Sequence, residues 1–245
     1  GYMKKTLLLL LLVCGICACH RPVRVVESNS EVLMIDSTLD QVQDTDYLAY
    51  IAPIKADLEK ELNIAIGHAP EALTVHKPEC TMLNWASDAL LAMAKQLYPN
   101  KVDMAVVNIG GMRTDWGAGD ITRRHIFELM PFDNELVVLT MTGEEVLALC
   151  HTIVRLKGEG VAGLRIKARN GQLLSATING KAIVPTASYT VATSDYLSQG
   201  NDGLTPLSLH EEMWRSEEKI RDLYIAYVQQ VQTVQAQVDG RMDIR

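Results

Sequence analysis

The chain has 245 residues, 48% hydrophobic and 22% charged, which is enough apolar material to bury a full globular core and too much for a disordered segment. Its 23 Lys and Arg stand against 30 Asp and Glu, a formal net charge of −7. So acidic a chain does not neutralise the phosphates of duplex nucleic acid, and that class of partner is excluded.

Residues 1–18 read as a lipoprotein signal peptide. Met3 is followed by Lys4 and Lys5 and then by the apolar run Thr6 to Val13, too short to span a bilayer as a permanent helix. Ile16-Cys17-Ala18-Cys19 resembles a bacterial lipobox with Cys19 as the acylated residue. The chain is therefore expected to be exported and lipid-anchored to a bacterial membrane, on its periplasmic or cell-surface face. An ordinary secretion signal rich in Cys is the other reading of these residues, and both readings take the protein out of the cytoplasm. Residues 19–44 are polar and read as a tether interrupted by one apolar cluster, Val32 to Ile35. The folded domain is expected over residues 45–245.

In that domain Asp46 is placed to cap a helix carrying Tyr47, Tyr50, Ile51, Ile54, Leu58 and Leu62 on one face. A short strand, Asn63 to Gly67, and an extended segment, Ala69 to Lys77, precede a helix that starts near Glu79 to Asp88. The apolar run Val102 to Val107 suits a buried strand. Gly110 and Gly111 follow it, giving a turn with freedom for positive φ and for close approach of the backbone to a ligand. Gly119 to Thr122 reads as a turn ending in a helix N-cap at Thr122, and the helix Arg123 to Met130 is stopped by Pro131. Phe132, one of only two Phe in the chain, then falls in a Pro-Phe-Asp-Asn turn where a core ring is unexpected. A strand, Glu135 to Met141, leads to a capping box, Thr142 with Glu145, that opens the helix Gly143 to Leu156. Strands follow at Gly163 to Ala168, Leu173 to Ile178 and Ser188 to Thr193, with hairpin signals at Asn170-Gly171 and Asn179-Gly180. Ser216 is expected to open a last helix with Ile220, Leu223, Tyr227 and Val231 inward. Grouped strands with helices on either side predict an α+β domain, a mixed sheet with flanking helices. Cys80 and Cys150 are expected to be separate buried thiols.

Asn108-x-Gly-Gly-x-Arg113, Gly119-Asp-Ile-Thr122, Pro131-Phe-x-Asn134 and Thr142-Gly-Glu-Glu-Val146 together resemble the C-terminal domain of the 5'-nucleotidase family. Tyr189 to Gly203 is similar to that family's aromatic-Leu-x-x-Gly-Gly-Asp-Gly segment. Glu79 to Leu90 resembles its Glu-x-x-x-Gly-Asn-Leu-x-x-Asp-Ala-Met helix start, but Leu83 stands for the Gly and Trp85 for the Leu. The family often carries a basic residue just before this Glu; Pro78 is there, preceded by Lys77. Asn84 and Asp88 also read as helix capping and structural hydrogen-bonding residues.

A purine nucleoside needs flat apolar faces for its base and polar groups for its ribose. Phe132 and Tyr196 match the family's stacking pair, and the resemblance implies that Asn108, Gly110, Gly111, Arg113, Phe132, Asn134, Tyr196 and Asp202 bind the substrate. Asp202 would face the ribose hydroxyls, Arg113 phosphate or ribose oxygens, and Asn108 the base edge. Surface pairing of Arg113 and turn capping by Asp202 are the alternatives. The family's metal-binding signatures, Asp-x-His and Gly-Asn-His-Glu, do not occur in the sequence, and the six His are scattered. No catalytic residue, metal ligand or cofactor is therefore assigned to this chain. The expectation is the substrate-binding half of a split 5'-nucleotidase, with divalent metals on a separate metallophosphoesterase chain; the alternative is a lipid-anchored, non-catalytic nucleoside- or nucleotide-binding protein.

Overall fold

The computed structural model describes residues 28–32, 34 and 44–245. The signal segment, Cys19 and most of the tether lie outside the described residues. The chain divides into two units, Gly1–Ile51 and Ala52–Arg245. In the first, Asp44 Oδ1 accepts the Tyr47 amide at 3.0 Å where helix α1 (Thr45–Leu62) opens, so the helix is capped two residues before the expected Asp46. In the second, Ile54 and Leu58 of the same helix stay exposed, at 62% and 55%, so the apolar face read from the sequence is not covered there.

The second unit is built on a five-stranded sheet ordered β10 (Glu212–Lys219), β4 (Glu135–Thr142), β9 (Ser188–Ser194), β2 (Met104–Val107) and β5 (Gly160–Ala162). β2 and β9 run parallel and the other neighbours antiparallel, which makes the sheet mixed. Both faces are covered. Ala105 and Val107 of β2 and Leu136 and Val138 of β4 face one core, with helices α2 (Thr81–Leu97), α3 (Arg123–Leu129) and α5 (Ile220–Val231). Met104, Val106, Val137 and Leu139 face the other, with helix α4 (Gly143–Arg155). Two-residue periodicity with apolar side chains on both faces is why these strands read as unbroken apolar runs. A four-stranded sheet, β11 (Met242–Ile244), β6 (Leu164–Arg169), β7 (Gln172–Ile178) and β8 (Lys181–Ala182), packs into the α4 core. Asn170 and Asn179 make its hairpin turns, at φ 51° and 49°. Cys80 and Cys150 are separate and buried, and burial pushes the Cys150 thiol up to about 12.

Two expected elements differ. Gly119–Thr122 is strand β3, antiparallel to β1 (Ala65–Ala69), because Ile121 enters the core at 0% exposure. Thr122 still caps α3, through a capping box completed by His125. Ser216 lies inside β10 rather than at a helix start. Its hydroxyl donates to Leu136 O of β4 at 3.0 Å, Glu217 takes φ 61°, and the helix begins only after Lys219. The inward face of α5 is therefore Ile220, Leu223, Tyr224 and Val228, with Tyr224 packed on Trp85 at 5.3 Å between ring centroids, while Tyr227 is half-buried and Val231 exposed. The extended segment after β1 makes an isolated bridge, Leu73 with Trp116.

Candidate functional site

The parallel pair β2 and β9 ends at Val107 and Ser194, and antiparallel β4 begins beside that end, where Leu136 pairs Ser194. Three loops thus meet at one end of the sheet's inner strands, the arrangement in which α/β proteins collect ligand groups. They surround a cleft of about 420 Å³ lined by Asn108, Gly110, Gly111, Arg113, Met130, Phe132, Asn134, Ser194, Tyr196 and Asp202. All eight site residues read from the sequence therefore meet here, along with Met130 and Ser194.

The first loop continues β2. Asn108 is still extended, at φ −88° and ψ 145°, and the backbone then closes a 3-10 turn over Ile109–Gly111. Neither glycine uses its freedom for positive φ. Space is the reason for Gly111: a Cβ there would lie 2.8 Å from Asn108 Oδ1. The small residue lets the Asn108 side chain fold over its own turn and donate through Nδ2 to Asp202 Oδ2. Arg113 is exposed, its guanidinium donates to Gly110 O at 3.3 Å, and it pairs with no carboxylate among the described residues. The alternative of a surface pair has no partner among those residues.

The second loop joins α3 to β4. Two cations anchor it. Asp133 receives Arg221 Nη2 at 2.7 Å and Lys219 Nζ at 3.1 Å, and these bonds, Lys219 first, hold its carboxyl below the usual carboxylate range. Arg221 also lies over the Phe127 ring, 4.3 Å from its centroid. Phe132, on the same turn, is 38% exposed and joins no other aromatic ring among the described residues, unlike the Trp85, Trp116 and Tyr224 cluster of the core.

The third loop follows β9. Asp195 Oδ1 accepts the amides of Tyr196 at 2.8 Å and Glu135 at 3.1 Å, while Arg215 Nη2 reaches its other oxygen at 3.3 Å. This fixes the backbone from which the Tyr196 ring, 41% exposed, projects. The chain then turns through Gly200, φ 82°, to Asp202, φ 53°, a left-handed conformation that Asp tolerates better than most residues. The turn returns the Asp202 carboxylate to the Tyr196 hydroxyl, which donates to Oδ1 at 2.8 Å. That bond, then desolvation and the carboxylate charge, keeps the phenol above its ordinary value.

The cleft thus holds two exposed rings, one unpaired guanidinium, and a carboxylate whose two oxygens are satisfied by an amide and a phenol. A ligand with vicinal hydroxyls can replace both donors on Asp202, since each partner is itself able to turn to new acceptors. Sequence reasoning does not find Met130 and Ser194, although each stands close to a residue it does find: Met130 before Pro131, Ser194 two before Tyr196. Asn84 and Asp88 stay out of the cleft. Asn84 donates to Glu79 Oε1 at 2.8 Å and to Gln237 O at 2.9 Å, and Asp88 is held by Arg241 at 2.7 and 3.1 Å. Lys77 is also absent from the lining; its ammonium is engaged by Leu156 O at 2.6 Å and Glu159 Oε1 at 3.0 Å. Among the described residues, no group of three or more His, Cys, Asp or Glu is placed to hold a metal ion.

The 5'-nucleotidase of Vibrio cholerae is 26% identical to this chain over 190 residues, 76% of the chain and 34% of that protein. The chain thus spans about a third of the length of the curated relatives it matches. A 5'-nucleotidase precursor of Thermus thermophilus shares the fold with a TM-score of 0.71 at 22% identity, over 81% of this chain and 42% of that one. NAD nucleotidase of Haemophilus influenzae does so at 0.60 and 19%, over 83% and 42%. Residues 65–208, more than half of the chain and all three cleft loops, match the family described as 5'-nucleotidase, C-terminal domain, and the chain belongs to that family.

Proposed function

We propose that this chain binds a purine nucleoside or nucleotide, with the base between Phe132 and Tyr196, the ribose hydroxyls on Asp202 and a phosphate or ribose oxygen on Arg113. The observation that carries this reading is the convergence of Asn108, Arg113, Phe132, Tyr196 and Asp202, from three separate loops, on one cleft of about 420 Å³, a size in the range of small-molecule sites. Two exposed rings contribute stacking energy to any base, and the single cation and single carboxylate match the two charged or polar ends of a nucleotide.

In this reading the chain is the nucleotide-binding half of a split 5'-nucleotidase. A separate metallophosphoesterase chain supplies the divalent metals that activate water for phosphate-ester hydrolysis. The test is reconstitution. AMP is incubated with a metallophosphoesterase domain alone and with this protein added; the rate should rise by at least about tenfold, since holding the nucleotide is what the second chain contributes. An unchanged rate, with adenosine binding intact, would leave a stand-alone nucleotide-binding protein and remove the split enzyme.

Export and attachment to a bacterial membrane through Cys19 belong to the same proposal, supported by the Lys4-Lys5 start, the short apolar run and Ile16-Cys17-Ala18-Cys19. The full-length protein expressed in bacteria should enter the detergent-rich phase of a cloud-point separation, and Cys19→Ala should move it to the aqueous phase. Recovery of both in the aqueous phase would eliminate the anchor.

A further inference from the structure

We infer that Glu159, held by Lys77, is a positioning residue for the nucleotide loop. Where it concerns affinity, this rests on the function proposed above. Glu159 does not line the cleft and belongs to no motif. Its side chain is only 5% exposed, and both carboxylate oxygens are used across the fold: Oε2 accepts the Ile109 amide at 2.6 Å, and Oε1 receives Lys77 Nζ at 3.0 Å.

The local sequence explains how a carboxylate arrives there. Gly158 has φ 107° and lies so close to Pro78 that a Cβ would stand 2.3 Å from Pro78 O, which brings the chain after α4 against the segment carrying Lys77. Gly160 then enters β5, paired with Val107 of β2, and a Cβ on it would lie 2.4 Å from the Val107 side chain. The antiparallel register Ala105 with Ala162, Val106 with Val161, Val107 with Gly160 sets Glu159 opposite Asn108, the first cleft residue. Two glycines thus close the backbone around one acidic side chain.

Ile109 is the first residue of the 3-10 turn that carries Gly110 and Gly111 and leads to Arg113. The amides opening such a turn have no partner within it, and a carboxylate on one of them is a charge-assisted cap. Buried at 5%, that carboxylate needs a counter-charge, and among the described residues Lys77 is the one it has. The family resemblance leads one to expect a cation near this position to meet the ligand directly. Here the cation acts at one remove: Lys77 neutralises Glu159, Glu159 holds Ile109, and the turn sets where Asn108 and Arg113 stand.

The experiment combines amide hydrogen exchange with calorimetric titration of adenosine on the full-length protein. In Glu159→Leu, exchange of the peptide covering Asn108 to Arg113 should accelerate at least about tenfold while peptides of α2 and β4 keep wild-type rates, and adenosine affinity should fall about tenfold, the scale of one lost charge-assisted bond. Lys77→Met, which leaves the carboxylate without its cation, should move both readouts the same way. Glu159→Gln combined with Lys77→Met keeps an acceptor for the Ile109 amide without a buried charge, and should return both readouts to within about threefold of wild type. This neutral pair also decides the matter if Glu159→Leu fails to fold. Uniform acceleration across all peptides, or wild-type exchange over Asn108 to Arg113, would overturn the inference. Absence of adenosine binding by the wild type would instead defeat the proposed function, and exchange alone would then decide the positioning role.

Discussion

Phe132→Ala is expected to weaken adenosine binding by about 10- to 100-fold, and Tyr196→Ala by a similar factor, because base stacking on an aromatic face is worth about 1 to 3 kcal/mol. The rings stand 38% and 41% exposed in the cleft, so neither substitution empties a core position, and melting temperatures should stay close to wild type. That separation of affinity from stability is what distinguishes a clamp from packing. Tyr196→Phe divides the side chain's two roles. It keeps the π-face but releases Asp202 Oδ1 from the 2.8 Å bond of the phenol, so affinity should stay within about threefold of wild type. Calorimetric titration of the four proteins reads all of this. Equal affinities for wild type and Phe132→Ala would show that the base does not rest on that ring.

The second large effect is on stability. Glu79→Ala should lower the unfolding free energy by at least about 3 kcal/mol, because one nearly buried carboxylate, 7% exposed, satisfies four donors. Its Oε1 accepts Asn84 Nδ2 at 2.8 Å and the amides of Asp239 at 2.9 Å and Gly240 at 3.2 Å, and its Oε2 accepts the Met242 amide at 3.3 Å. These bonds tie α2 to the segment that leads into β11. Arg241, between them, grips Asp88 and Val161 O from the same segment. Deleting Glu79 strands three backbone amides at once, and the segment must either open to water or keep them unpaired. For a domain of this size the loss corresponds to a fall of about 6 to 12 °C in melting temperature. Scanning calorimetry gives the answer, and a shift under about 2 °C would mean that Glu79 holds nothing that water does not hold equally well.

Glu79, Asn84 and Asp88 show what the sequence can and cannot disclose. Their spacing on one helix start is visible, and structural hydrogen bonding is one of its two readings; what cannot be seen is the partner, the distant segment Gln237 to Met242. Cleft residues are legible for the opposite reason. Asn108 to Arg113 follows an apolar strand directly, Phe132 sits in a Pro-Phe-Asp-Asn turn, and Asp202 lies between glycines, so each carries a local signal of a strand end or tight turn. Glu159 carries none, since a Gly-Glu-Gly stretch acquires meaning only when β5 is registered against β2. Asp195 is hidden similarly, because its role depends on Glu135 and Arg215 arriving from other strands.

The misplaced elements have the same origin. Gly119 to Thr122 has the composition of a turn and becomes a strand because β1 lies beside it and Ile121 has a core to enter. Around Ser216, Glu212 to Lys219 has the polarity of a helix's outer face, yet it forms the edge of the sheet because β4 offers an unpaired side. Edge strands rich in charge are a common guard against unwanted pairing, and local propensity reads them poorly. The capping box at Thr142 and Glu145 and the Asn-Gly hairpins are legible because their hydrogen bonds close within a few residues.

The claim on which the rest depends is that the cleft between Phe132 and Tyr196 receives a nucleoside base. The most direct measurement is a pair of calorimetric titrations of the wild-type protein, with adenosine and with methyl β-D-ribofuranoside, which has the ribose hydroxyls and no base. Adenosine should bind at least about 30-fold more tightly, because two stacking faces act on the base alone while the carboxylate and guanidinium act on both ligands. Equal affinities, or no heat from adenosine at millimolar concentration, would contradict the account.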